Sequence, residues 1–183
     1  MVRTGQPAPP YPRWVTIHTE HPFLDPDPDP VRRFRARLGG AVTLWTAADD
    51  RGGAGLTVTS VMLAAGEPAR LLALLDPDSD LAETLGRSGR AVVSLLAWEH
   101  RGMADAFAGV APAPGGAFRM AGFEDTEWGP RLLTDGSWAG VALESTAEVG
   151  WSSLVTCVVE QVVIGADEAA LVHRRGRYAR AER

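Results

Sequence analysis

Lysine and asparagine are missing altogether from the 183 residues, cysteine occurs once, and no apolar run approaches membrane-spanning length. All the basic charge is therefore arginine, which reads as the coding bias of a GC-rich genome and carries no functional meaning by itself. The single thiol, Cys157, excludes a disulfide within the chain and leaves a cysteine-based metal site without a second Cys ligand; inside "LVTCVVEQVVIG" it reads as a small buried hydrophobe. The first residues, "MVRTGQPAPPYPRW", contain no apolar core long enough for a signal peptide, so a soluble, cytoplasmic protein away from membranes is expected. A formal net charge of −5 does not favour nucleic-acid binding, which needs a net basic face. The common catalytic templates are also missing: no Gly-x-Ser-x-Gly elbow, no phosphate loop ending in Gly-Lys, no His-Glu-x-x-His helix. Gly52, Gly53 and Gly55 precede a strand, whereas a dinucleotide fingerprint must open a helix. No metal site is expected, because His18 and His21 lie in a proline-rich arm that would seldom hold ligand geometry.

What is present suits one globular domain, with 45% apolar residues to form its core. Residues 1–30 read as a proline-rich arm ending in a stiff "DPDPDP" linker, and residues 31–183 as the folded domain. Val31, Phe34 and Leu38 recur at helical spacing up to Gly39. "AVTLWTA" and "LTVTSVMLA" read as a hairpin with a long "ADDRGGAG" turn, and "RLLALLD" as a strand buried on both faces. Asp80 and Glu83 form a capping-box pattern for a short helix that ends at Gly89. "AVVSLLA" is a further buried strand, "WEHRGMADAF" a helix, and residues 109–130 a long loop of the kind that serves as a lid. Strands return in "GVALESTAEV", "SLVTCVVEQVVIG" and "ALVHR". Because helices never alternate one-for-one with strands, the expected fold is mainly β: an antiparallel split β-barrel of Greek-key type with short helical insertions.

One strand raises a question of its own. In "GGAGLTVTSVMLA", Thr57, Thr59 and Ser60 place three hydroxyls in a segment that otherwise looks buried. Strand alternation puts Thr57 and Thr59 on one face and Ser60 on the other, so the three cannot meet one ligand unless the strand bulges. The preceding glycines make such a bulge or a close backbone approach believable.

In order and spacing, "LGGAVTLWTAADDRGGAGLTVTSV", then "LLALLDPDSDLAETLGRSGRAVVSLLAWEHRGMADAFAG", and finally "ALVHRRGRY" resemble the flavin reductase family, whose members are FMN-binding split barrels. The resemblance runs from Leu38 to Tyr178, about three quarters of the chain. It implies a homodimer that reduces FMN or FAD with NADH or NADPH and hands the reduced flavin to a partner flavin-dependent monooxygenase. By the same resemblance Thr57, Val58, Thr59 and Ser60 line the flavin and Ser79 faces its phosphate, with Arg87, Arg90 and Arg119 as candidate phosphate partners. His173 is the candidate catalytic residue and Tyr178 a cofactor contact, both near the nicotinamide side. No histidine stands in "VGWSSLV", where family members commonly carry Gly-Asp-His. The alternative is therefore a non-catalytic split barrel that binds a flavin, a deazaflavin or haem.

Overall fold

The computed structural model describes residues 29–166 and 169–181, so the arm, with His18 and His21, lies outside the described residues. The last Asp-Pro of the acidic run belongs to the fold. Pro30 sits in the first turn of a helix, where its missing N–H costs nothing, and the Asp29 carboxylate accepts from Val31 N at 2.9 Å. The elements in chain order are α1 (Pro30–Leu38), β1 (Gly40–Ala41), β2 (Thr43–Asp49), β3 (Gly52–Val58), β4 (Val61–Ala64), β5 (Arg70–Leu75), α2 (Asp80–Ser88), β6 (Arg90–Leu95) and α3 (Arg101–Phe107). There follow β7 (Phe123–Thr126), β8 (Gly129–Leu132), β9 (Trp138–Val149), β10 (Ser152–Val163), β11 (Leu171–Arg174) and β12 (Arg177–Arg180).

Seven strands form one antiparallel sheet in the order β3-β2-β6-β9-β10-β5-β4. Its two edge strands are consecutive in the chain, with only Thr59 and Ser60 between them. Val58 and Val61 are therefore three Cα steps apart, on the order of 11 Å at most. A flat sheet would hold its edges much farther apart, so this one curls round until they meet, and the split of the barrel falls at the Thr-Ser pair. Leu74 N of β5 donates to Ser60 O at 3.1 Å, in line with the β4–β5 pairing.

β2 is buried on both faces from Thr43 to Ala47. Trp45 points into the barrel with Val58, Ala73, Leu75, Val141, Val155 and Cys157, and α2 adds Leu81 and Leu85 to the same cluster. On the other side Leu44 meets Val42, Leu96, Met103, Phe107, Leu132 and Leu171 beneath α3. Thr43, buried among these, is satisfied: its hydroxyl donates to Val58 O at 2.7 Å and accepts from Trp45 Nε1 at 3.1 Å.

Several expectations are corrected. The first hairpin has a tight turn, with Asp49 paired to Gly52 and no register shift through β3, so the glycines make no bulge. Gly55 provides a close approach instead, because a Cβ there would stand 2.6 Å from the Phe107 ring. β5 is not buried on both faces, Leu74 being 40% exposed. Ser79, rather than Asp80, caps α2. Residues 109–130 are not a free lid: they hold the β7–β8 hairpin, and Phe118 and Phe123 stack edge-on against Phe107 at 5.1 and 6.1 Å. Among the described residues, no helix is long and apolar enough to cross a membrane and no group of three potential ligands could hold a metal ion.

Candidate functional site

The strand that begins as β3 changes character at Thr59. Up to Val58 it is a regular partner of β2; Val58 is buried in the barrel, and Thr57 turns its hydroxyl to Ala104 O of α3 at 2.8 Å. Ladder pairing then lapses at Thr59 and Ser60 before β4 pairs with β5. Released from strict alternation, the two adjacent hydroxylated residues line one groove of about 710 Å³. Gly40 allows this packing, since a Cβ there would lie 2.9 Å from Thr59 O.

The groove is bounded by α1 on one side, through Arg32, Arg35, Ala36 and Leu38, and by Leu72, Leu74 and Leu154 of β5 and β10 on the other. His173 and Gly176 of the β11–β12 hairpin complete its lining. That hairpin turns on Arg175 and Gly176, both with positive φ (53° and 72°), the conformation a two-residue turn requires. Arg175 N donates to Ala36 O at 2.7 Å and Arg174 Nε to Arg37 O at 3.2 Å. The "HRRGR" run is therefore more than a solvated basic tail: it ties down the C-terminus of α1, where free carbonyls favour donors.

His173 packs edge-on against Tyr178, its cross-strand partner, at 5.6 Å between ring centroids. Burial pulls its pKa below the ordinary histidine value; Asp105 opposes this and Arg35 adds to it. At neutral pH the imidazole is therefore uncharged. Burial, with the Asp105 charge and a hydrogen bond to that carboxylate, pushes the Tyr178 phenol up to about 12. Asp105 is thus half-buried beneath the site rather than solvated, as its place on a helix face suggests.

Thr59, Ser60 and His173 thus share the groove, and Tyr178 backs it. Ser79 is not among the lining residues. Its hydroxyl donates to Asp76 O at 2.6 Å and accepts from Ala82 N at 3.3 Å, the bonds of a helix cap. Nor do the candidate phosphate arginines line the groove. Arg87 pairs with Asp49 and Glu83, drawing the Asp49 carboxyl below its usual range, and Arg90 pairs with Glu127 at 3.0 Å. Arg119 lies beyond the groove, beside Gly115. A second concavity, about 420 Å³ beside Arg90, is lined by Asp49, Asp125 and Glu127, which would repel an anion. Trp45 is fully buried, whereas Trp151, at the tip of the β9–β10 hairpin, is 99% exposed.

The chain as a whole is similar to known proteins. The model of the family described as "Flavin reductase like domain" matches residues 35–182. The chain is 32% identical over 169 residues to an FMN reductase (NADH), RutF 2, of Methylorubrum extorquens, covering 85% of this chain and 94% of that protein. It is 29% identical over 148 residues to the FMN reductase (NADH) RutF of Ancylobacter novellus, covering 80% and 81%. Among solved structures, the styrene monooxygenase flavin reductase of Pseudomonas putida S12 superposes with a TM-score of 0.73 at 22% identity, covering 83% of this chain and 97% of that one. That likeness is one of fold.

Proposed function

The chain belongs to the flavin reductase like domain family, and on that premise we propose that it reduces flavin with a nicotinamide nucleotide, using the groove at Thr59, Ser60 and His173, and supplies the product to a partner monooxygenase. The observation that carries the site assignment is the pair of adjacent hydroxylated residues at the barrel's seam, opening on an apolar-walled groove of about 710 Å³. Ligand sites of this class are mostly apolar, with a few well-placed polar groups, and enclose roughly 300–1,000 Å³. FMN with NADH is the preferred pair, supported by the descriptions of both curated relatives. A cytoplasmic location, where NADH is at hand, goes with this reading.

The residues present fit a flavin. Leu38, Leu72, Leu74 and Leu154 would cover a flat ring and exclude water from it. Thr59 and Ser60 would offer hydroxyl and backbone groups to its polar edge. His173, neutral because of burial, would present a hydrogen-bonding nitrogen without placing a cation beside the ring, and Tyr178 would hold the imidazole in position. When bound, flavin supplies the redox chemistry, accepting a hydride from the nicotinamide. The protein therefore has to bind, orient and shield, which explains why no catalytic triad is needed.

A homodimer goes with this reading. Met62 and Leu63 on the edge strand β4 are 66% and 67% exposed, and Phe34 on α1 is 66% exposed, apolar side chains that a second copy could cover. The site assignment is tested by titrating FMN into the Thr59→Val and Ser60→Ala variants. Each is expected to weaken binding about tenfold, the worth of one hydrogen bond to a buried polar edge. Unchanged affinity in both would remove these residues from the site.

A further inference from the structure

We propose that Arg32 and Arg35 on α1 form the phosphate handle of the bound nucleotide. The inference rests on the flavin reading of the groove and extends it to the anionic part of the ligand.

The two arginines lie three residues apart on one face of α1, and both line the groove that holds Thr59, Ser60 and His173. Six other arginines are engaged: Arg70 with Glu144, Arg87 with Asp49, Arg90 with Glu127, Arg131 with Glu124, and Arg101 and Arg180 over the Trp98 ring. Among the described residues, neither the Arg32 nor the Arg35 guanidinium forms a hydrogen bond or ion pair. Among the described residues, the groove lining includes no carboxylate. In a chain of net charge −5, a groove whose described lining carries two guanidinium groups and no acid is a local reversal of sign.

Two guanidinium forks side by side match the oxygens of a phosphate, and beside an apolar-walled cleft they favour an aromatic nucleotide over a free inorganic anion. They are also anchored: the carbonyls of the next two residues, Ala36 and Arg37, are bonded by the β11–β12 turn. The shared chemistry is a phosphate group, and it has two possible sources, the flavin's own phosphate and the phosphates of the nicotinamide nucleotide.

The test compares the full-length wild type with the double variant Arg32→Gln/Arg35→Gln and, for loss of charge on the same helix outside the groove, Arg37→Gln. FMN and riboflavin affinities are read by fluorescence titration, and the KM for NADH is measured with riboflavin as acceptor. A loss of about ten- to a hundredfold in FMN affinity with riboflavin unchanged supports the proposal and assigns the handle to the flavin phosphate. Unchanged flavin affinities with a similar rise in the KM for NADH support it and assign the handle to the nicotinamide nucleotide. Equal losses for both flavins, the same effect in Arg37→Gln, or no change anywhere would overturn it. If the wild type binds neither flavin, the flavin reading fails by itself. The arginine pair is then judged with inorganic pyrophosphate, which should raise the melting temperature of the wild type but not of the double variant; no rise in the wild type overturns the proposal.

Discussion

His173 shows how packing sets chemistry at the scale of one residue. Its ring lies against Tyr178, with Asp105 of α3 and Arg35 of α1 as the charged groups acting on it, and burial makes its proton harder to add in the fold than in the unfolded chain. As pH falls through the histidine range near about 6.5, the unfolded state takes up the proton first, so stability rises with pH across the interval just below that value. Urea unfolding at a series of pH values should show this slope, and His173→Gln should flatten it; equal slopes in the two proteins would mean that another group is responsible. Cys157 needs no such role: it is fully buried, and burial lifts its thiol to about 12, which keeps it an inert part of the barrel core.

Among the elements, α2 and α1 invert the roles their sequences suggest. α2 is held by Ser79 at its start and by left-handed Gly89 at its end, and it inserts Leu81 and Leu85 into the barrel. Ser79→Ala is expected to cost about 1 kcal/mol of unfolding free energy, the worth of a helix cap, while lowering FMN and riboflavin affinity alike or not at all. A loss selective for FMN would return the hydroxyl to the phosphate. α1 reads in the sequence as an ordinary amphipathic helix, yet Val31, Phe34 and Leu38 are 75%, 66% and 68% exposed, and two of its arginines, Arg32 and Arg35, line the groove. That placement was not legible because it depends on Arg174 and Arg175, some 137 residues away, bonding the helix end. The β7–β8 hairpin was hidden for a related reason. Its segments "FEDT" and "GPRL" show no apolar alternation, and their position rests on the Phe107–Phe118–Phe123 cluster. The barrel strands were legible, because β2, β6 and β10 carry their own patterns of β-branched and apolar residues.

Across the whole molecule, closing the sheet creates the site. Antiparallel pairing brings the first and last strands of the sheet together; of the two residues that join them, Thr59 lies beyond the β2–β3 ladder and Ser60 O accepts from Leu74 N at the end of the β4–β5 ladder. This resolves the alternation problem of "LTVTSV": Thr57 goes to α3, Val58 to the core, and Thr59 and Ser60 to the groove, without a bulge within β3. The histidine missing from "VGWSSLV" falls at the β9–β10 turn, which does not line this groove. The most direct test of flavin reduction at this seam is an anaerobic assay of the purified protein with free FMN and NADH, following loss of flavin absorbance near 450 nm, an ordinary marker for oxidised flavin. Catalytic bleaching is expected in the wild type, with a raised KM for FMN in Thr59→Val; FMN binding without bleaching, with either NADH or NADPH, would contradict a reductase and leave a flavin-binding barrel.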